Sequence, residues 1–228
     1  MKKLIVSFLV LFISQWAIAQ QIGRVLFTKN GQLESIEMEL PETVVLKLSK
    51  DGQISQWGAN RYAGRDEILR EKLDPYVGRV EYYRENDNEA FRGKIRSIGT
   101  IAITYYASFD NPAFAGKIKS IGSLQFDYYT LQDNEAFKGN IKRIGNADIA
   151  WYSTFDLDDL KGKLKSIGNT SITYYSSLDD TFIRGKVKSI GGSSYQYYTS
   201  FDRKELRGLL KSGQPVRTVN GIKYLVRF

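Results

Sequence analysis

The chain has 228 residues, no Cys, no His and a formal charge of +8 at pH 7. Thiolate nucleophiles, disulfides, imidazole bases and the usual zinc ligands are thereby excluded, and any catalysis would rest on Asp, Glu, Ser, Tyr or Lys. A hydrophobic content of 42% with 13% aromatic residues is ample for a core and excludes a disordered chain.

Residues 1–19 read as a signal peptide. Lys2 and Lys3 form a charged start, Leu4 to Ile13 an apolar run, and Ala17-Ile18-Ala19 a small-x-small cleavage site. The run is shorter than the roughly 20 residues of a spanning helix. The expectation is export, with cleavage near Ala19 and a mature chain in the periplasm, on the cell surface or in the medium. Loss of Lys2 and Lys3 takes the charge from +8 to +6, so the mature chain stays basic.

Residues 20–60 read as β-hairpins. Ile22 to Lys29 leads into Asn30-Gly31, a two-residue hairpin signal, and Gln32 to Leu40 follows. Pro41 breaks the run, Thr43 to Leu48 alternates, and Asp51-Gly52 turns the chain into Gln53 to Trp57. Gly31 to Ile36 and Gly52 to Gly58 echo the opening of the repeat downstream, so this part is expected to act as a terminal cap. Residues 61–92 read as a linker with a short helix over Ala63 to Leu73, stopped by Asp74-Pro75.

Residues 93–213 carry the dominant signal. A 23-residue unit opens at Gly93, Gly116, Gly139, Gly162 and Gly185, and Gly208 starts a truncated sixth copy. Such a period marks a repeat architecture in which each unit buries its apolar face against its neighbours. Counting the opening Gly as position 0, position 2 is aliphatic, position 5 is Ile, position 6 is Gly, position 12 is Tyr or Trp, position 13 is Tyr and position 17 is Asp in every full copy. Each unit therefore predicts two strands and a Gly turn. Strict alternation favours a three-residue turn over positions 6–8, which sets position 2 against 12 and 4 against 10 on the core face. It sets 1 against 13 and 3 against 11 on the other face, together with position 5.

The predicted fold class is all-β: tandem 23-residue hairpins in an extended antiparallel meander, with a β-solenoid as the alternative. The basic rows at positions 1 and 3 decide between them. Equivalent residues lie about 9–10 Å apart in a meander but only about 4.8 Å apart in a stacked solenoid, and like charges directly opposite destabilise a sheet. Loop residues at positions 16 and 21, or coiling of the sheet, are the candidates for covering its apolar face.

Residues 214–228 close the chain. Asn220-Gly221 is a hairpin signal, and Ile222, Tyr224, Val226 and Phe228 then alternate. This last pattern resembles the closing strand of outer-membrane β-barrels, which implies a membrane-associated structural protein or small barrel. Ser97, Gly99 and their equivalents interrupt one face of the strands, and Lys lines the other, so a lipid-facing band of about 9–11 residues per strand is missing. The period and the opening Phe91-Arg92-Gly93 also resemble MORN repeats, open arrays of β-hairpins, in architecture alone. The closing G-x-G of that family is absent here.

The candidate binding surface combines Lys94, Arg96, Lys117, Lys119, Lys142, Lys163, Lys165, Lys186 and Lys188 with Tyr106, Tyr129, Tyr152, Tyr175 and Tyr198. Such a flat cationic and aromatic face suits an anionic polysaccharide or another envelope protein. Export argues against nucleic acid, and the Lys rows argue against membrane insertion. The bland alternative is a solvated face whose lysines keep sheets apart. The Asp at position 17 fits a turn residue accepting backbone N–H bonds better than a calcium ligand. No cofactor is implied. An enzyme would need Glu67, Glu71, Asp74 and Glu85 to converge outside the repeat, so a non-enzymatic binding or scaffolding protein is the expectation.

Overall fold

A computed structural model describes residues 21–60 and 72–228. The expected signal peptide, and residues 63–71 of the expected helix, lie outside the described residues.

The early alternating segments form β1 (Gln21–Phe27), β2 (Leu33–Glu39), β3 (Val44–Leu48) and β4 (Ile54–Ala59). The 23-residue units then supply strand pairs. After the single strand β5 (Val80–Tyr82) come β6 (Ile95–Ile98) with β7 (Ile101–Tyr105), and β8 (Ile118–Ile121) with β9 (Leu124–Tyr128). The next are β10 (Ile141–Ile144) with β11 (Ala147–Trp151), β12 (Leu164–Ile167) with β13 (Thr170–Tyr174), and β14 (Val187–Ile190) with β15 (Ser193–Ser194). The chain ends in β16 (Gln196–Tyr197), β17 (Leu210–Ser212), β18 (Val216–Val219) and β19 (Ile222–Val226).

Strands β5 to β15 make one 11-stranded antiparallel meander in strict chain order. Equivalent residues of successive units therefore lie two strands apart, as the charge argument requires, and the solenoid alternative falls. Neither large sheet closes into a barrel. Strand β19 lies between β18 and β1 in an open six-stranded sheet, with Tyr224, Leu225 and Val226 all buried, so it is an interior strand and does not close a barrel.

Two turn types change places relative to expectation. In the repeats Ile98 pairs with Ile101 and Ser97 with Ala102, which leaves a two-residue turn at Gly99-Thr100. Gly99 has φ +56° while Thr100 keeps a negative φ, the pattern of a type II′ turn with Gly at its first central position. Conversely, Thr28 donates to Gln32 and Ser49 to Gln53, so the β1–β2 and β3–β4 hairpins have three-residue loops. Gly31 and Gly52 sit at their positive-φ ends.

The face assignment from alternation is corrected by a β-bulge. Thr104 pairs with Ser120 and Tyr105 with Ile118, so Lys119 is the extra residue. The same break falls opposite Tyr128, Trp151, Tyr174 and Tyr197. One extra residue shifts the side-chain phase by one. Positions 2 and 5, three apart, then both face the core, while positions 3 and 4 face outwards. Ile118, Ile121, Phe126 and Tyr128 are all buried, and Lys119 is exposed.

The terminal segments cover the meander's apolar face and do not cap its end. Order in the second sheet is β18-β19-β1-β2-β3-β4, with β19 parallel to β1. Val25, Phe27, Ile36, Met38, Leu46 and Leu48 pack with the inward residues of the repeats in one core. The hairpin turns of this sheet reach the opening Gly end of the units: Asn30 and Lys50 offer carbonyls to Lys163 and to the Ile141 amide. Phe91, Phe114, Phe137, Leu160 and Ile183 at position 21 also pack on the core, whereas position 16 points away from it.

Candidate functional site

The bulge gives the two basic rows different fates. At position 3, Arg96, Lys119, Lys142, Lys165 and Lys188 are exposed. Each charge sits over the ring at position 13 of the preceding unit, at 5.2–5.8 Å from the centroids of Tyr83, Tyr106, Tyr129, Tyr152 and Tyr175. Lys211 repeats the contact over Tyr198 at 5.2 Å. Such contacts are worth about 0.5–1 kcal/mol when exposed, enough to hold a cation in place. The result is a ladder of positioned charges at about 10 Å intervals along the outer face. Arg143 is beside it, paired with Asp148 at 3.0 Å.

The row at position 1 does not belong to that surface. The ammonium groups of Lys94, Lys117 and Lys163 donate to the carbonyls of Gly116, Gly139 and Gly185, the opening residue of the next unit. Lys163 also reaches the Asn30 carbonyl at 3.0 Å, and Lys186 reaches that of Lys29 at 2.8 Å. These two are buried, and the Lys163 side of the contact is only 3% exposed. Burial pulls the ammonium pKa values of Lys94, Lys117 and Lys186 down, and that of Lys163 to about 8 against an upward pull from Asp159. Position 1 is thus a set of ties between neighbouring units and between sheets. In the third unit it is the buried Asn140.

The tyrosines at position 13 are also committed. Their hydroxyls donate to the position-10 carbonyl of the next unit: Tyr106 to Phe126, Tyr129 to Ile149, Tyr152 to Ile172 and Tyr175 to Tyr195, at 2.9–3.1 Å. Burial, before any charge, pushes these phenols up. They act as half-buried cradles for the position-3 cations and leave no open stacking platform. The column at position 12 is core. Tyr128, Trp151 and Tyr174 each donate, at 2.8 Å, to the position-2 carbonyl beside the bulge, where the ladder is interrupted.

The loops share a local bracing contact. In each, the position-17 carboxylate accepts the position-14 amide: Ala107 to Asp110, Thr130 to Asp133, Ser153 to Asp156, Ser176 to Asp179 and Thr199 to Asp202, at 2.5–2.7 Å. These bonds hold the Asp156 and Asp202 carboxyls below the usual range. The described residues contain no group of three or more acids placed to hold a metal.

Fixed on these loops is a row that sequence reasoning assigned to covering the apolar face and whose exposure it missed. Phe109, Phe155, Leu178 and Phe201, all at position 16, are 85–97% exposed along one edge. The signal was available, because a large apolar residue recurs at that position in four of five copies. The same loops carry charged residues of both signs, with Glu135 paired to Lys138 and Asp158 to Lys161. Comparison of the chain with known protein families, with curated proteins and with solved structures finds no match.

Proposed function

We propose that this is an exported, non-enzymatic β-repeat protein whose outer sheet face binds an extended anionic polymer, an acidic polysaccharide in the first instance. The observation that carries this reading is the position-3 ladder: exposed cations at a regular two-strand spacing, each held over a tyrosine ring. Positioned charges lose less freedom on binding than free lysines do, and a linear polyanion meets several of them at once. Lys94, Lys117, Lys163 and Lys186 are tied to backbone carbonyls and do not join this face, so the site is narrower than the sequence implies. The test is retention of the mature chain on immobilised polygalacturonate at low and high salt, with neutral dextran as control. The triple variant Lys119→Gln, Lys142→Gln, Lys165→Gln should lose retention, and salt should release the parent chain. Retention that ignores salt, or that survives the triple variant, rejects the reading.

A second reading, attachment to a membrane surface, is favoured by the exposed row Phe109, Phe155, Leu178 and Phe201. Flotation with phosphatidylcholine vesicles separates the two. The polymer reading predicts no flotation, and loss of flotation in a Phe109→Ser, Phe155→Ser, Phe201→Ser variant would support the membrane.

A further inference from the structure

The first unit departs from the others at one corner. In the interior units the position-1 ammonium is closed over by the second sheet: Asn30 and Lys29 carbonyls meet Lys163 and Lys186, and the Asp51 carboxylate faces Lys117. Lys94 lies beyond the last of those hairpin turns. Among the described residues its ammonium has the Gly116 carbonyl and the Tyr105 ring, 5.3 Å from the centroid, as partners. The position-12 hydroxyl differs from that of the interior units. Tyr128 and Tyr174 spend theirs on the position-2 carbonyl, while in the first and fifth units the Tyr105 and Tyr197 hydroxyls donate to no acceptor among the described residues. Among the described residues no atom lies within 4 Å of where a Gly93 Cβ would stand, whereas at Gly116, Gly139 and Gly185 the position-1 ammonium of the preceding unit lies within 3.2 Å of that point; the equivalent residue before Gly93, residue 71, lies outside the described residues.

These differences converge on one cavity of about 250 Å³ between β4 and the first unit, lined by Gln53, Ile54, Trp57, Lys94, Ile95 and Tyr105. The residues that line it carry an indole, a phenol, two isoleucine side chains, a primary amide and one ammonium. Few convergent polar groups on an otherwise apolar and aromatic wall are the usual make-up of a small-molecule site. Below the size of drug-sized pockets, it suits a single sugar ring. Half-burial has lowered the Lys94 pKa, so a negative partner there gains both charge pairing and a desolvated setting.

We propose that this cavity binds a hexuronate, with its carboxylate on the Lys94 ammonium, its ring against Trp57 and its hydroxyls on Tyr105 and Gln53. The source is either a free uronic acid or the terminal unit of an acidic oligosaccharide. The site is separate from the outer ladder and does not depend on that reading.

Titration of the 15N-labelled mature chain with D-glucuronate, and in parallel with D-glucose, tests it. Glucuronate should saturate and shift the Trp57 indole resonance and the amides around Gly93. Glucose should bind at least about tenfold more weakly, the value of one charge-assisted hydrogen bond. Lys94→Met should abolish the preference, Tyr105→Phe should weaken binding with the ring retained, and the triple ladder variant should change nothing. If Lys94→Met fails to fold, Tyr105→Phe carries the decision. A glucuronate-terminated trisaccharide forms the second arm: binding by it alone assigns the polymer end, and equal binding assigns the free acid. Equal affinity for glucose, an unchanged Tyr105→Phe variant, or no saturable shift with either uronate overturns the proposal.

Discussion

Replacing Lys163 by Met should flatten the rise of stability with pH above neutrality. The ammonium is buried between the Gly185 and Asn30 carbonyls, and burial brings its pKa from 10.5 to about 8. The folded value lies below the unfolded one, so between these limits the unfolded chain binds more protons. Stability then rises with pH across that window. The full rise from this one group is about 3 kcal/mol, at roughly 1.4 kcal/mol per pH unit between the two values. Near pH 10 the unfolded tyrosines begin to ionise while buried Tyr128 and Tyr174 resist, and this pulls stability back down. That second effect is common to parent and variant and cancels in their difference. The assay is urea unfolding followed by near-ultraviolet circular dichroism at half-unit steps from pH 7 to 10.5. The difference, parent minus Lys163→Met, should climb by about 3 kcal/mol over that range. Parallel curves would refute the claim that this lysine is buried as a charged tie between the sheets.

The remaining predictions address other parts of the fold. Tyr128→Phe should lower stability by about 1–2 kcal/mol in urea unfolding, because a buried carbonyl at Ile118 loses its donor; an unchanged midpoint contradicts the role given to position 12. Gly168→Ala meets no atom within 4 Å but must adopt φ +52°, so it should cost about 1–2 kcal/mol. Gly31→Ala adds a clash at 2.3 Å with the Gly185 carbonyl and should cost more, and equal losses would deny the close approach of the two sheets. Phe109→Ser, Phe155→Ser and Phe201→Ser together should leave the thermal midpoint nearly unchanged, since surface substitutions stay within about 0.5 kcal/mol each. A large loss would mean that these rings are buried.

The meander was legible because the period is unbroken and the charge rows forbid close stacking of like residues. The bulge was hidden by reasoning from strict alternation, although a clue stood in every copy. Ile118 and Ile121 are three residues apart, and a regular strand would place them on opposite faces. An extra residue between them resolves the conflict, and it is the exposed Lys119. The covering sheet was not legible, because it depends on pairing of β19 with β1 across nearly the whole chain. Nor did any local pattern distinguish buried Lys163 from exposed Lys165, two residues apart in one strand region. That distinction comes from hairpin turns more than a hundred residues away. The turn role of the position-17 Asp was read correctly, because its partner amide lies three residues upstream in the same loop.

Lysine acetylation mapped by mass spectrometry, with and without polygalacturonate, bears most directly on the outer ladder. Lys119, Lys142, Lys165 and Lys188 should react rapidly in the free chain and be shielded together by the polymer, while Lys163 and Lys186 stay unreactive in both. Shielding that falls instead on Lys138 and Lys161 at the loop edge, or on no lysine, would contradict the account.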